Sequence, residues 1–142
     1  MVTEPLNFDV LLRTAGPRSA PWTGLPAGAR MGHMHLQVGD LARSRAFYRD
    51  IVGLDATTDA YPGASFLSAG GYHHHLGLNT WNTRGRAGDA DPSFDHWEAS
   101  VADEAAFDAL ARRAIAAGAG QRTEDGVIVT DPDGITLLVR PA

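Results

Sequence analysis

The chain has 142 residues, 44% of them apolar and 20% charged, with a formal net charge of −5. That length and balance predict one soluble globular domain with a real core, and the dispersed arginines form no basic stripe for nucleic acid. There is no cysteine, which excludes disulfides and thiolate metal sites, so a bound metal must be held by His, Asp or Glu.

Residues 1–30 read as an N-terminal arm and connector. "MVTEPLNFDVLL" carries two acids and lacks the basic-then-apolar order of a signal peptide. No apolar run anywhere is long enough to span a bilayer, so the cytoplasm is the expected compartment and no membrane partner is expected. "LNFDVLLRTA" suits a short helix, and "GPRSAPWTGLPAG" is a Pro/Gly-rich connector.

Residues 31–142 read as a single domain of two similar halves. Module one covers about 31–82, a linker about 83–92 within "NTRGRAGDADPS", and module two about 93–142. "HMHLQVGD" (His33 to Asp40) and "HWEASVAD" (His96 to Asp103) share their spacing. Each is a strand followed by an Asp suited to N-cap a helix. The helices follow in "LARSRAFYRDIVG", with Gly53 as its stop, and "EAAFDALARRAIAAG", ending at Gly118. Shorter extended segments complete each half: "DATTDAY", "ASFLSA" and "HHHLGLNTW", then "GQRTE", "GVIVT" and "ITLLVRP". "DPDG" (Asp131 to Gly134) is a tight reversal with Pro preset at its second position. The pattern predicts an α+β fold, βαβββ twice.

Alternation assigns the faces. Met34, Leu36 and Val38 meet the helices, leaving His33, His35 and Gln37 on the other side. Trp97, Ala99 and Val101 likewise leave His96, Glu98 and Ser100. In "HHHLGLNTW", Leu76 and Leu78 share a parity with His74, so His73, His75, Gly77, Asn79 and Trp81 take the polar face. Five of the six histidines and Glu98 therefore fall on one concave surface, and converging neutral imidazoles suit a divalent metal. His74 alone reads as a packing or edge residue.

These residues resemble a known family. "HMHLQVGDLARSRAFYRDIVGL", "HWEASVAD" and "DPDGITLLV" are similar to the vicinal oxygen chelate superfamily. That superfamily includes glyoxalase I, extradiol catechol dioxygenases, and fosfomycin- and bleomycin-resistance proteins. The resemblance covers roughly residues 30 to 141. "GASFLSAGGYHHHLGLNTWN" looks more particularly like the carboxy-terminal half of bacterial catechol-2,3-dioxygenase-like proteins, whose full chains carry four βαβββ modules. "TEPLNFDVLL…PWTGLP" looks like the connector before that half.

The resemblance implies paired modules curled into a cleft around one divalent metal. It places first-strand histidine ligands at His33 and His96. The carboxylate ligand position, four residues after Gly134, is Leu138, and a further ligand position in the first half is Gly77. The ligand set is thus rebuilt on His33 and His96 with His75 or Glu98, or the metal is lost. His75 lies one strand repeat from Gly77, about 7 Å along the backbone. Fe(II) or Mn(II) is expected ahead of Zn(II), with no metal as the alternative because of Leu138. Glu98 and His73 are the candidates for proton handling, and His35, Asn79, Trp81 and Leu138 for contacts to the substrate. The implied function is a metal-dependent enzyme on a small molecule with adjacent oxygens, either a ring-cleaving extradiol dioxygenase or a related lyase or isomerase, and a homodimer. The alternatives are a metal-free binding or resistance protein, and a partner subunit of a split four-module enzyme.

Overall fold

The computed structural model describes residues 5–15, 21, 23–58, 60–83 and 94–142. The chain divides into two compact units, Met1–Arg30 and Met31–Ala142. In the first, helix α1 (Phe8–Ala15) is capped by Asn7, whose side chain accepts the Val10 amide at 3.0 Å. This helix buries none of its side chains. Part of the connector read at Gly16–Gly28 lies outside the described residues, as does the linker apart from Thr83. Among the described residues no helix is long and apolar enough to cross a membrane.

The second unit carries the βαβββ pattern twice. Its first half is β1 (Met34–Gln37), α2 (Leu41–Phe47) continued by a π-helical turn (Tyr48–Val52), β2 (Asp55–Thr58), β3 (Ala64–Ser68) and β4 (Leu76–Asn79). Its second half is β5 (Trp97–Val101), α3 (Glu104–Ala116), β6 (Gly120–Thr123), β7 (Gly126–Thr130) and β8 (Thr136–Pro141). Each half forms a four-stranded mixed sheet, in the orders β1-β4-β3-β2 and β5-β8-β7-β6. The first strand runs parallel to the last in each, a pairing that needs a long connection between the two strands.

The predicted caps are present. The Asp40 side chain accepts the Arg43 amide at 3.0 Å, and that of Asp103 accepts the Ala105 and Ala106 amides at 2.8 and 3.2 Å. Leu36, Val38, Leu76 and Leu78 from the first sheet and Val127, Val129, Leu137 and Val139 from the second pack in one core with Phe47, Phe107 and Leu110 of the helices. Each such side chain, taken fully out of water, contributes about 1.5–3 kcal/mol.

Two contacts that alternation does not reveal bind the halves together. Gly53, at φ 96°, ends the π-helical turn, and the amides of Gly53 and Leu54 both donate to the Tyr48 carbonyl at 3.0 Å. The Ile51 and Val52 carbonyls left over accept from Arg113 of α3, at 2.9 and 3.1 Å. The DPDG turn also reaches across. Asp131 accepts the Asp133 and Ile135 amides on one oxygen and the Tyr48 hydroxyl, at 2.9 Å, on the other. Asp133 accepts the Gly39 amide at 3.0 Å and the Ser44 hydroxyl at 2.9 Å.

One predicted strand is shorter than expected. "HHHLGLNTW" contributes only Leu76–Asn79 to β4. Gly70 and Gly71, both left-handed at φ 63° and 74°, turn the chain ahead of it. The His75 backbone still joins both neighbours, accepting from the Met34 amide at 2.9 Å and donating to the Leu67 carbonyl at 2.8 Å. His73 and His74 lie in the loop before it, where strand alternation does not apply.

Candidate metal centre

That loop corrects the placement of His74. Alternation assigns it to the core face; in the structure its ring lies on the histidine face, against His35, His33 and the Phe66 ring. His33 immediately precedes β1 and His35 lies within it, and His74 folds over from the Gly70-Gly71 turn. One ring nitrogen from each of the three lies within 4.8 Å of the others. His35 Nε2 and His74 Nε2 are 3.2 Å apart. Two imidazole nitrogens each about 2.0–2.1 Å from one ion, at octahedral to tetrahedral angles, stand about 2.9–3.4 Å apart. The observed pair, a hydrogen bond between the two rings, also fits that spacing.

The electrostatics fit as well. His74 is 5% exposed, and burial, reinforced by His33, His73, His35 and His75, pushes its pKa down to about 4. His35 is lowered by burial and then by His33. Both rings are therefore neutral at pH 7, the form that ligates. His74 Nδ1 is buried without a hydrogen-bond partner, and Nε2 is the nitrogen that faces His35. The chemistry and spacing of the trio suit a divalent cation.

His73 stands beside the trio, exposed, its ring centroid 4.5 Å from that of His74 and 6.0 Å from that of His33. His75 is turned elsewhere: its Nδ1 accepts the Ala69 amide at 3.2 Å and its ring lies 4.7 Å from Tyr72. His96 has both ring nitrogens engaged, Nδ1 with Asp95 at 2.9 Å and Nε2 with Glu98 at 3.1 Å. Asp95 first, then Glu98, raises its pKa, which favours imidazolium and opposes metal ligation. Glu98 is in turn bound by Arg140 at 3.1 Å, and that guanidinium, then His96, lowers its pKa. Leu138 pairs with Glu98 across the β5–β8 ladder. No ring contact joins His96 to the first-half histidines among the described residues.

Asn79 is buried, and its side chain accepts the Trp81 amide at 3.4 Å. Trp81 donates its indole N–H to the Pro62 carbonyl at 3.0 Å and packs on Gly63. The structure thus brings together His33, His35 and His74 with His73 alongside, and holds His96 and Glu98 in a separate charged chain with Asp95 and Arg140. Sequence reasoning missed His74, Asp95 and Arg140. For His74 the signal was available in the two consecutive glycines, which end the strand pattern before the histidines.

Paired βαβββ modules, each with its last strand parallel to its first, define a glyoxalase-type fold. The family model "Glyoxalase/Bleomycin resistance protein/Dioxygenase superfamily" matches residues 30–139, and the chain belongs to that superfamily. It is 37% identical over 139 residues to a catechol-2,3-dioxygenase of Bacillus subtilis (strain 168), a match covering 93% of this chain and 47% of that protein. The chain therefore spans about half the length of that relative. Among solved structures, it resembles a lactoylglutathione lyase from Agrobacterium tumefaciens (TM-score 0.57, 22% identity, 82% of this chain and 96% of that one). It also resembles the glyoxalase I of Leishmania major (TM-score 0.58, 24% identity, 80% and 87%). A third likeness is to the fosfomycin resistance protein FosX of Mesorhizobium loti (TM-score 0.56, 18% identity, 83% and 94%). These structural likenesses carry the fold alone.

Proposed function

We propose that this chain is a metal-dependent enzyme that holds one divalent cation on His33, His35 and His74 and acts on a small molecule with two adjacent oxygens. The observation that carries the reading is the trio: three ring nitrogens within 4.8 Å, one of them on a buried, neutral ring. The identity to a catechol-2,3-dioxygenase supports ring cleavage ahead of lyase chemistry. Nitrogen donors suit Fe(II) and Zn(II) better than Mn(II), which prefers oxygen. Zn(II) has no redox chemistry, so Fe(II) is the ion proposed.

When bound, the cation supplies Lewis acidity and open positions for two substrate oxygens. The three imidazoles are neutral ligands and leave the ion's charge uncompensated, so the site favours an anionic chelator such as a catecholate. His73, exposed beside the trio, accepts the proton that a catechol hydroxyl gives up. His96 and Glu98, committed to each other and to Arg140, take no part in holding the ion. The homodimer belongs to the proposal too, and light scattering should return about twice the chain mass of 15.1 kDa.

The test is to load the protein anaerobically with Fe(II), add catechol in air, and follow ring-opened product by absorbance and mass. Stoichiometric iron and product are expected, and His74→Ala should lose both. Iron without product would move the activity to another reaction of the superfamily. Protein that takes up no metal would overturn the enzyme reading in favour of a metal-free binding protein, the alternative that Leu138 favours.

A further inference from the structure

Gly77 occupies the middle of β4, paired with His35 in the parallel ladder and with Phe66 in the antiparallel one. Nothing in its backbone asks for glycine, because its φ lies outside the left-handed region that other residues avoid. Glycine inside a strand weakens it, and commonly marks a place where something must approach the backbone closely. Here the approaching group is an imidazole. A Cβ built on Gly77 would lie 2.9 Å from His35 Cε1, 3.0 Å from Nδ1 and 3.1 Å from Nε2. The ring therefore lies across bare backbone, and from there its Nε2 stands 3.2 Å from His74 Nε2.

The second half of the chain supplies an internal comparison. Glu98 pairs with Leu138 in the β5–β8 ladder as His35 pairs with Gly77 in the β1–β4 ladder. With a side chain at that position, Glu98 is engaged sideways with His96 and Arg140. The same ladder position is empty in one sheet and filled in the other, and its cross-strand partner is directed differently.

We propose that Gly77 is a positioning residue of the metal centre: by carrying no side chain it lets His35 lie over β4 and aim Nε2 at His74. This rests on the reading of the trio as a cation site and adds the position that controls it. It implies that the space over Gly77 can be filled from either strand, by the His35 ring from β1 or by a longer ligand rooted at 77.

The test uses Co(II), whose visible absorption reports coordination geometry, and Zn(II) titration calorimetry, with circular dichroism to confirm folding. Gly77→Ala should lower the affinity at least about tenfold, as loss of a supporting group at a metal site does, and change the Co(II) spectrum. His35→Ala should lose affinity, and His35→Ala/Gly77→Glu should recover it, because the carboxylate enters the space the ring has left. Should Gly77→Ala fail to fold, that second pair of variants decides. Wild type that binds while Gly77→Ala keeps its affinity and spectrum overturns the inference alone, as does a double variant without recovery. Wild type that binds neither ion overturns the metal-centre reading and this inference with it.

Discussion

Replacing Tyr48 by Phe tests the join between the two halves. Tyr48 is fully buried, and its hydroxyl is the donor for one oxygen of the buried Asp131 carboxylate, at 2.9 Å. The amides of Asp133 and Ile135 satisfy the other oxygen. Phe keeps the ring packing against Phe47 and Trp97 and removes the hydroxyl that donates to Asp131. A hydrogen bond to a charged group is worth about 1.5–3 kcal/mol, and the carboxylate is left buried without it. At roughly 4 °C per kcal/mol for a domain of this size, Tm should fall by about 6–12 °C at pH 7. Burial, the dominant cause, holds the Asp131 pKa above its ordinary 3.8. The folded state therefore binds this proton more readily than the unfolded one, and the associated stability is lost as pH rises through the folded pKa. Without the Tyr48 donor that pKa rises further, so the deficit should shrink as the pH is lowered toward 4. Thermal melts at pH 7 and pH 4 measure both effects. A Tm loss under about 2 °C, or a deficit that grows on acidification, would show that the Tyr48 hydroxyl does not stabilise the buried carboxylate.

Arg113→Ala frees the Ile51 and Val52 carbonyls and should cost about 0.5–1.5 kcal/mol for each bond not replaced by water, read as a lower denaturation midpoint with an unchanged slope. Glu98→Gln should bring the raised His96 pKa down toward its ordinary 6.5 without returning it fully, since Asp95 is the larger cause; an NMR titration of the ring protons checks this. His74 titrates at about 4 in the folded chain against 6.5 ordinarily. The unfolded chain thus binds more protons between those values, and metal-free protein should lose stability as pH falls from 6.5 toward 4. His74→Phe should flatten that limb of the pH–stability curve.

The fold was legible because its signals are local. Period-two alternation in β1 and β5 and the caps at Asp40 and Asp103 each depend on a few neighbouring residues. The candidate site was legible only in part, since alternation reads a face only while the chain stays extended. It places His33 and His35 correctly on the face opposite the core, then fails at His74, where Gly70 and Gly71 have turned the backbone. The commitment of His96 was hidden for another reason. Its partner Asp95 is adjacent in sequence, but Glu98 is held by Arg140, 42 positions away. The DPDG turn reads as a reversal, and its reach to Tyr48, Ser44 and Gly39 depends on how the halves meet. The π-helical turn is likewise finished by Arg113 from the other half.

In the proposed site the cation is held by the first half alone, on His33, His35 and His74. Zn(II) titration calorimetry of His74→Ala beside His96→Ala tests it most directly. His74→Ala should lose at least about tenfold in affinity while His96→Ala binds as wild type does. Binding abolished by His96→Ala and kept by His74→Ala would contradict it.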